Sequence, residues 1–178
     1  MIKTLFTVVA VVILAVLAYA ATQPDSFRLE RSISIKAPPE KIFTHLVDFK
    51  LWAAWSPWEK LDPAMKRTHS GEPSGKGAHY AWAGDKAGAG SMEVLEATPA
   101  SKVHIKLDFT KPFEAHNLVD FTLKPQGDAA QGMTQVTWAM YGPSNYLTKL
   151  IHVFFSMDKL VGKDFEAGLA DLKAVSEK

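Results

Sequence analysis

Few side chains in this sequence could perform acid–base chemistry on a small molecule. Strand parity places four polar residues on the same faces as apolar ones: Arg31, Tyr80, Glu96 and Asn117. Arg31, Tyr80 or Asn117 could polarise a carbonyl group, but a catalytic group also needs an oriented partner within hydrogen-bonding reach. Because its neighbours on this face are apolar, Arg31 either binds an anionic head group or pairs with a carboxylate near the rim of a cavity.

Other familiar catalytic and metal-binding patterns are missing from the sequence. The chain has no cysteine, which excludes thiolate catalysis, disulfides and cysteine-ligated metals. It has no G-x-S-x-G motif, and the segment GEPSGKG (71–77) lacks the spacing and hydroxyl residue of a phosphate-binding loop, so it predicts a hairpin turn. His45 and Asp48 share a predicted helix face, which a solvated surface explains better than a metal site. We predict no catalytic residue, metal or cofactor.

Aromatic residues are the more promising candidates for binding. Three of the five tryptophans lie within one short stretch, LWAAWSPWEK: Trp52, Trp55 and Trp58. In the same stretch, Ser56, Pro57 and Glu59 have the pattern of a capping box that starts a helix. The three indoles therefore lie at a corner between two helices, where their main role is packing. Trp52 or Trp55 could still line the entrance of a cavity.

The N-terminus carries a membrane-targeting segment. Residues 5–21 are uncharged and apolar, and as a helix they would span roughly 25 Å. That length lies between a signal peptide and a full membrane span, and Ala18-Tyr19-Ala20 resembles a cleavage site, so both an anchor and a cleaved leader stay open. Because Lys3 should stay in the cytoplasm, the body is expected on the extracytoplasmic (periplasmic) side, anchored, or secreted if the leader is cleaved.

The charge balance of the body argues against nucleic acid as a partner. Residues 1–21 hold one lysine, so the rest of the chain carries 19 basic and 19 acidic residues. Nucleic-acid binding would require a basic face, and an anionic membrane surface would attract a basic body as well. The expected partners are therefore a hydrophobic small molecule or lipid, together with the membrane reached by the N-terminal segment. The oligomeric state is left open.

The sequence after the N-terminal segment predicts a linker at residues 22–26 and a single domain at residues 27–178. Alternating residues predict a first strand at 27–37, and helical spacing then predicts a helix from Pro39 to about Lys50. Six further strands separated by turn residues form a predicted antiparallel meander: 65–71, 78–83, 91–97, 102–110, 114–124 and 133–141. The apolar stripe of the C-terminal segment predicts one long helix at residues 145–178. Phe154 and Phe155 are assigned to its core side, with a lid or a membrane-touching mouth as the alternative.

This order of elements resembles the START-like superfamily, also called SRPBCC, and within it the polyketide cyclase, dehydrase and lipid transport group. Four segments carry the resemblance: ERSISIKAPPEKIFTHLVDF, WxxWSPW (52–58), GSMEVLEATP (90–99) and MDKLVGKDFEAGLADLK (157–173). The resemblance implies an α+β helix-grip fold, in which a curved antiparallel sheet of about seven strands wraps a long C-terminal helix. It also implies an elongated apolar cavity between sheet and helix, but no particular reaction.

Three functional hypotheses follow from the resemblance and the residues. The first is a non-enzymatic carrier of a lipid, isoprenoid or polyketide. Its predicted ligand contacts are Trp82, Phe109, Phe121, Trp138, Met140, Phe154, Trp55 and Arg31. The second is a cyclase or dehydrase, which requires two or more polar groups converging in the cavity. The third is an interaction module with a collapsed core and an exposed apolar patch.

Overall fold

A seven-stranded antiparallel sheet supports the other elements of the protein. The structure is a computed structural model, and it describes residues 2–127 and 132–178. The strands are β1 (Ser26–Ile35), β2 (Lys66–Gly71), β3 (Ala78–Ala83), β4 (Ala89–Thr98), β5 (Lys102–Lys111), β6 (Ala115–Gln126) and β7 (Met133–Pro143). Their order across the sheet is β1-β7-β6-β5-β4-β3-β2, so the meander from β2 to β7 is completed by β1 at its edge.

In these described residues, five α-helices and one 3₁₀ helix accompany the sheet. They are α1 (Ile2–Ala21), α2 (Pro39–Val47), the 3₁₀ helix (Phe49–Ala54), α3 (Pro57–Leu61), α4 (Tyr146–Phe154) and α5 (Met157–Ser176). The predicted α+β helix-grip fold is confirmed. The first predicted helix ends earlier than expected, at Val47, because the Asp48 carboxylate accepts a hydrogen bond from the Lys50 backbone N–H (2.9 Å) and starts the 3₁₀ helix.

The side-chain alternation of the strands builds the core. On β5, Val103, Ile105 and Leu107 are buried while the residues between them are at least partly exposed. The same alternation on β6 and β7 gives one continuous apolar face, against which α2 and α5 pack. The predicted hairpin at 71–77 is confirmed as the connection between β2 and β3, with Gly71 and Gly77 both at positive φ.

The C-terminal region is not the single long helix that its apolar stripe predicted. It divides into α4 and α5, because Phe155 has an extended backbone (φ −133°, ψ 101°) and Ser156 caps the second helix. The Ser156 hydroxyl accepts a hydrogen bond from the backbone N–H of Lys159 at 3.3 Å. As a result only α5 lies across the sheet, and α4 packs beside α1 instead, where the Tyr146 hydroxyl donates to the Leu17 carbonyl (2.9 Å).

The division of the helix also overturns the predicted core position of Phe154 and Phe155. These side chains are 62% and 57% exposed, and Leu147 on the same helix is 57% exposed. The side of α4 that faces the protein carries Lys149 instead, whose ammonium group pairs with Asp25 in the linker. α4 therefore turns its apolar side outward.

The strand register places several connections at one end of the sheet. Ser26 pairs with Pro143, so β1 starts where β7 ends and α4 begins. Ala89 pairs with Lys111, which puts the β3–β4 turn (84–88) and the β5–β6 turn (112–114) at that end too. Because only residues 22–25 separate α1 from β1, the C-terminus of α1 lies there as well. We call this the α1 end of the sheet.

Candidate functional site

The space between the sheet and α5 is occupied by a cluster of aromatic side chains. The Trp138 ring on β7 stacks on Phe165 of α5, with centroids 4.1 Å apart and planes inclined by 18°. Phe121 and Trp55 contact the same indole, with centroid distances of 5.0 and 5.7 Å. These four side chains are almost completely buried. The helix is thus held on the sheet by direct aromatic packing.

The tryptophan corner has the structural role that the sequence favoured. Trp52 donates its indole N–H to the Leu46 carbonyl (3.1 Å), and Trp55 donates to the His45 carbonyl (3.2 Å). Both carbonyls lie in the last turn of α2, where backbone acceptors lack partners within the helix. The two indoles therefore cap α2 while their rings, 4.6 Å apart, pack on the core.

The predicted helix start at Ser56 is confirmed, but in the described part of the chain neither hydrogen bond of the predicted capping box is formed. Ser56 does precede the first turn of α3, but its side chain makes no capping hydrogen bond within the described chain. Glu59 turns away from Ser56 and accepts hydrogen bonds from the Tyr80 hydroxyl (2.5 Å) and the Arg67 guanidinium (2.6 Å). Burial, followed by the hydrogen bond to Glu59, raises the pKa of Tyr80 well above its usual value. Tyr80 is consequently a neutral donor whose proton is already engaged.

Arg31 is held by two carboxylates of α5. Its guanidinium donates to Glu166 through Nε (2.8 Å) and to Asp158 through Nη2. These acceptors lie eight residues apart on one face of the helix, with Gly162 halfway between them. A Cβ at Gly162 would lie 2.7 Å from Nη2, so the glycine provides the space for the guanidinium. This is the pairing that the sequence left open as an alternative to an anionic ligand.

The three polar residues proposed for a cyclase-type reaction lie on different strands. Arg31 is on β1, Asn117 on β6 and Tyr80 on β3, and in the sheet β6 is separated from β1 by β7 and from β3 by β5 and β4. Arg31 and Tyr80 are also committed to the carboxylates described above. The arrangement that a shared catalytic site requires, with donors converging on one reacting atom, is not formed by these residues.

A groove of about 560 Å³ opens at the α1 end of the sheet, between β1 and the junction of α4 and α5. Its lining is mixed: Pro24, Phe27, Leu29 and Met157 supply apolar surface, and the other lining residues are polar or charged, among them Arg28, Glu30, Arg31, Lys149, His152 and Asp158. The Phe27 and His152 rings meet edge to face at 6.0 Å and form one wall. Across the sheet register, Leu29 pairs with Met140 and Arg31 with Trp138, so the groove lies directly beside the aromatic core.

A second, smaller depression lies at the opposite side of the fold. Its volume is about 180 Å³, and it lies between the 3₁₀ helix and the β2–β3 hairpin. Its lining is mostly polar or charged, with Asp48, Lys50, His69, Glu72 and His79 among the contributors. A volume of this size lies below the range usual for small-molecule sites, which is about 300–1,000 Å³. The groove beside β1 is therefore the better candidate site.

One buried polar atom near the groove lacks a hydrogen-bond partner in the described part of the chain. The indole N–H of Trp138 is buried, and among residues 2–127 and 132–178 it has no hydrogen-bond acceptor. A buried unsatisfied donor costs about 1–3 kcal/mol, and in a native protein it calls for an explanation. An oxygen atom of a bound molecule would satisfy it.

The eight residues predicted to contact a ligand fall into three places. Arg31 lines the groove, and Met140 and Trp138 are cross-strand partners of groove residues. Phe121 and Trp55 lie deeper, against Trp138. The remaining three are farther away: Trp82 and Phe109 meet edge to face at 5.7 Å near the α1 end of β3 and β5, and Phe154 is exposed on α4. Ligand contact by these residues stays a prediction.

Several residues important to the site escaped prediction from the sequence. Phe27, His152 and Met157 line the groove, and Phe165 completes the aromatic cluster. The spacing Asp158-x₃-Gly162-x₃-Glu166 does carry a signal, because residues four apart share a helix face and a glycine between two acids leaves room for a cation. That spacing indicates a cation on this face of the helix, but it does not identify Arg31 as that cation.

The fold and the aromatic interface between sheet and helix define a helix-grip protein. The chain belongs to the family described as polyketide cyclase / dehydrase and lipid transport, whose model matches residues 26–177. A comparison with curated proteins finds no match.

Solved structures share the fold at low sequence identity. A protein from Chromobacterium violaceum is 17% identical, with a TM-score of 0.58 over 87% of this chain and 99% of its own. The Aha1 dimer from Colwellia psychrerythraea is 19% identical, with a TM-score of 0.58 over 85% and 96%. A protein from Thermobifida fusca is 16% identical, with a TM-score of 0.60 over 82% and 90%. At these identities the similarity establishes the fold alone.

Proposed function

We propose that the protein binds or carries a hydrophobic small molecule, such as a lipid, an isoprenoid or a polyketide, without catalysing a reaction on it. The observation that carries the proposal is the groove between β1 and the α4–α5 junction, open at the α1 end of the sheet. The family description, which names lipid transport, supports the same class of ligand. We further propose that α1 holds the domain at the extracytoplasmic face of a membrane, the source of such ligands.

The cationic groups that line the groove are already paired with carboxylates, which favours an uncharged ligand over an anionic one. Phe27, Leu29 and Met157 offer apolar surface, and burial of a ligand on it would contribute about 25 cal/mol per Å². The volume lies in the usual range for small-molecule sites, which is about 300–1,000 Å³. Arg31, the obvious partner for an anionic head group, is already paired with two carboxylates. The affinity is therefore expected to come from apolar contact.

Trp138 supplies the polar contact that would orient such a ligand. Trp138, whose N–H has no acceptor among the residues that the structure describes, lies one strand away from the groove, opposite Arg31 in the register. A ligand carbonyl or hydroxyl oxygen that reaches this indole would satisfy the donor. Met140, Phe121 and Trp55 would then form the apolar surroundings of the ligand, as predicted from the sequence, with Trp82, Phe109 and Phe154 as outer contacts.

Photo-crosslinking in cells that express the full chain tests this proposal. The cells are fed a fatty acid that carries a diazirine group and an alkyne, which they also incorporate into phospholipids. After irradiation, labelled peptides are mapped by mass spectrometry. We expect labels on β1 around Phe27 and Leu29 and at the start of α5 around Met157, in addition to labels on α1.

A matched pair of variants links the label to Trp138. Trp138→Phe removes the unpartnered N–H and keeps an aromatic ring, so labelling of β1 relative to α1 should fall at least threefold. Trp52→Phe removes another buried indole, whose N–H is already bonded to the Leu46 carbonyl, and it should leave that ratio near its original value. Labels confined to α1 and α4 would contradict ligand binding in the groove.

A protein-interaction module is the second candidate. The specific observation in its favour is the direct packing of Trp138 on Phe165, which occupies space that a ligand of a helix-grip protein would use. The exposed apolar side of α4 matches the exposed apolar patch that this hypothesis also requires. Under this hypothesis the groove peptides stay unlabelled, whatever lipid probe is supplied.

A further inference from the structure

The helix α4 is amphipathic with the opposite orientation to that of a helix in a water-soluble fold. A surface helix normally turns its apolar stripe to the core and its charged side to water. In α4, Leu147, Ile151 and Phe154 follow one another at helical spacing on the outward side, and all three are exposed. The rest of the helix is mixed: Lys149 is buried against the linker, and Leu150 and Val153 are half-buried. The outward side therefore calls for an apolar environment.

The position of α4 beside α1 indicates what that environment is. With 20 residues, α1 is about 30 Å long, and its length and composition would allow it to cross a membrane, although a signal sequence meets the same criterion. Tyr146 bonds to Leu17, which lies four residues, or about 6 Å, before the end of α1. With α1 in a bilayer, the first turn of α4 thus lies at the level where head groups meet acyl chains.

Other exposed apolar side chains lie at the same end of the molecule. Phe155 extends the outward side of α4 across the break, and Leu160 in the first turn of α5 is exposed as well. Phe113, 68% exposed, occupies the β5–β6 turn, which the strand register places at the α1 end of the sheet. Tyr146 itself is a residue type that is enriched at membrane–water interfaces.

We infer that α4 is an interfacial helix that lies in the outer boundary of the membrane that α1 crosses, with its apolar side among the acyl chains. Interfacial helices bury an apolar face about 5–10 Å into this boundary, and the depth set by Tyr146 and Leu17 agrees with that range. The occupant of the apolar face is a lipid bilayer and not a second protein. The inference rests on membrane insertion of α1 and is independent of ligand binding in the groove.

Spin labelling of the full chain tests the inference directly. Because the chain has no cysteine, a single introduced cysteine carries a nitroxide at one chosen position. Labels are placed at Ile151, Phe154 and Phe113, and the protein is reconstituted in phosphatidylcholine nanodiscs. The accessibility of each label to molecular oxygen, which concentrates in lipid, is compared with its accessibility to a water-soluble nickel chelate.

Two reference positions make every outcome decisive. A label at Leu14 reports whether α1 is inserted, and a label at the exposed Lys124, far from the α1 end, reports water. We expect the labels at Ile151 and Phe154 to resemble that at Leu14, with oxygen accessibility at least threefold above their own nickel accessibility. Nickel accessibility like that of Lys124 would overturn the inference. So would protection from both reagents, which indicates a protein contact, or a water-exposed Leu14.

Discussion

Two glycines of α5 illustrate how a single methyl group can have opposite consequences on one helix. At Gly162 an added Cβ would meet the end of the Arg31 side chain at 2.7 Å, and a flexible guanidinium can move aside. At Gly168 it would meet the Trp138 ring at 2.8 Å and the Pro57 ring at 3.0 Å. Both rings belong to the packed interface between sheet and helix, where there is little freedom to adjust.

Gly168→Ala should destabilise the protein although alanine is the better helix former. The substitution gains about 1 kcal/mol in helix propensity and loses about 1–3 kcal/mol through overpacking. Gly162→Ala has the same propensity gain and weakens only ion pairs whose carboxylates are well exposed, so its cost should be smaller. Urea unfolding of the full chain in nonionic micelles measures both. A Gly168→Ala variant more stable than Gly162→Ala would contradict the close packing of α5 on Trp138.

At the scale of single residues, local sequence patterns predicted positions better than partners. The alternation of β1 placed Arg31 on the apolar face, and the structure confirms that placement. Its partners, however, lie 127 and 135 residues away along the chain, beyond the range of any local pattern. Glu59 shows the same limit, because its local spacing to Ser56 predicted a capping box while its contacts are with Tyr80 and Arg67.

At the scale of elements, the division between α4 and α5 is the main departure from prediction. The apolar stripe continues from Leu147 into α5, and periodicity alone cannot distinguish one helix from two that share a phase. Ser156, followed by Asp158 in the first turn of α5, is nevertheless a standard helix-start signal. The reason for the break becomes visible only with α1 present, because α4 packs beside it.

Ser156→Ala tests whether the cap stabilises the start of α5. Loss of an N-cap side chain usually costs about 1 kcal/mol, and we expect that decrease in the free energy of unfolding. Ser56→Ala is the matched control, because Ser56 also precedes a helix but makes no capping bond in the described part of the chain. Its effect should be less than half as large. Equal losses, or a rise in helix content measured by circular dichroism in Ser156→Ala, would show that the break has another cause.

At the scale of the whole molecule, two histidines link folding to pH with opposite signs. Burial, together with the nearby Lys41, lowers the pKa of His45 below its usual 6.5. The hydrogen bond to Asp108 raises the pKa of the exposed His116. The folded state therefore resists protonation of His45 and favours protonation of His116.

The sign of each contribution follows from which state binds the proton more tightly. For His45 the unfolded chain binds it more tightly, so stability is complete above about pH 6.5 and is lost as the pH falls through the lowered pKa. For His116 stability is present below about pH 6.5 and is lost as the pH rises through the raised pKa.

His45→Gln should therefore make stability less sensitive to acidification between pH 6.5 and 5. His116→Gln should make it less sensitive to a rise in pH above 6.5. Thermal unfolding of the full chain at several pH values compares the two variants with the parent protein. If the unfolding temperature changed with pH in the same way in all three proteins, the opposite contributions assigned to His45 and His116 would be contradicted.

The sheet was largely predictable from the sequence, whereas the state of its interface with α5 was not. Alternation is a local property, and each predicted strand is found within about two residues of its position. Whether a cavity or a packed cluster lies above the sheet depends on side chains such as Trp138 and Phe165, which come from separate elements. The resemblance to a family of ligand-binding proteins correctly predicted the fold. The groove beside β1 could be located only from the three-dimensional structure.

The short connection between α1 and β1 limits how far the domain can move from the end of α1. Residues 22–25 could extend by at most about 14 Å, and Asp25 is already tied to the domain through Lys149 and the Ser144 backbone N–H. With α1 in a membrane, the short linker and the packing of α4 beside α1 would keep the domain at the membrane surface. A molecule that it binds would have to arrive and depart at the membrane surface, so delivery over longer distances would fall to a second, diffusible protein.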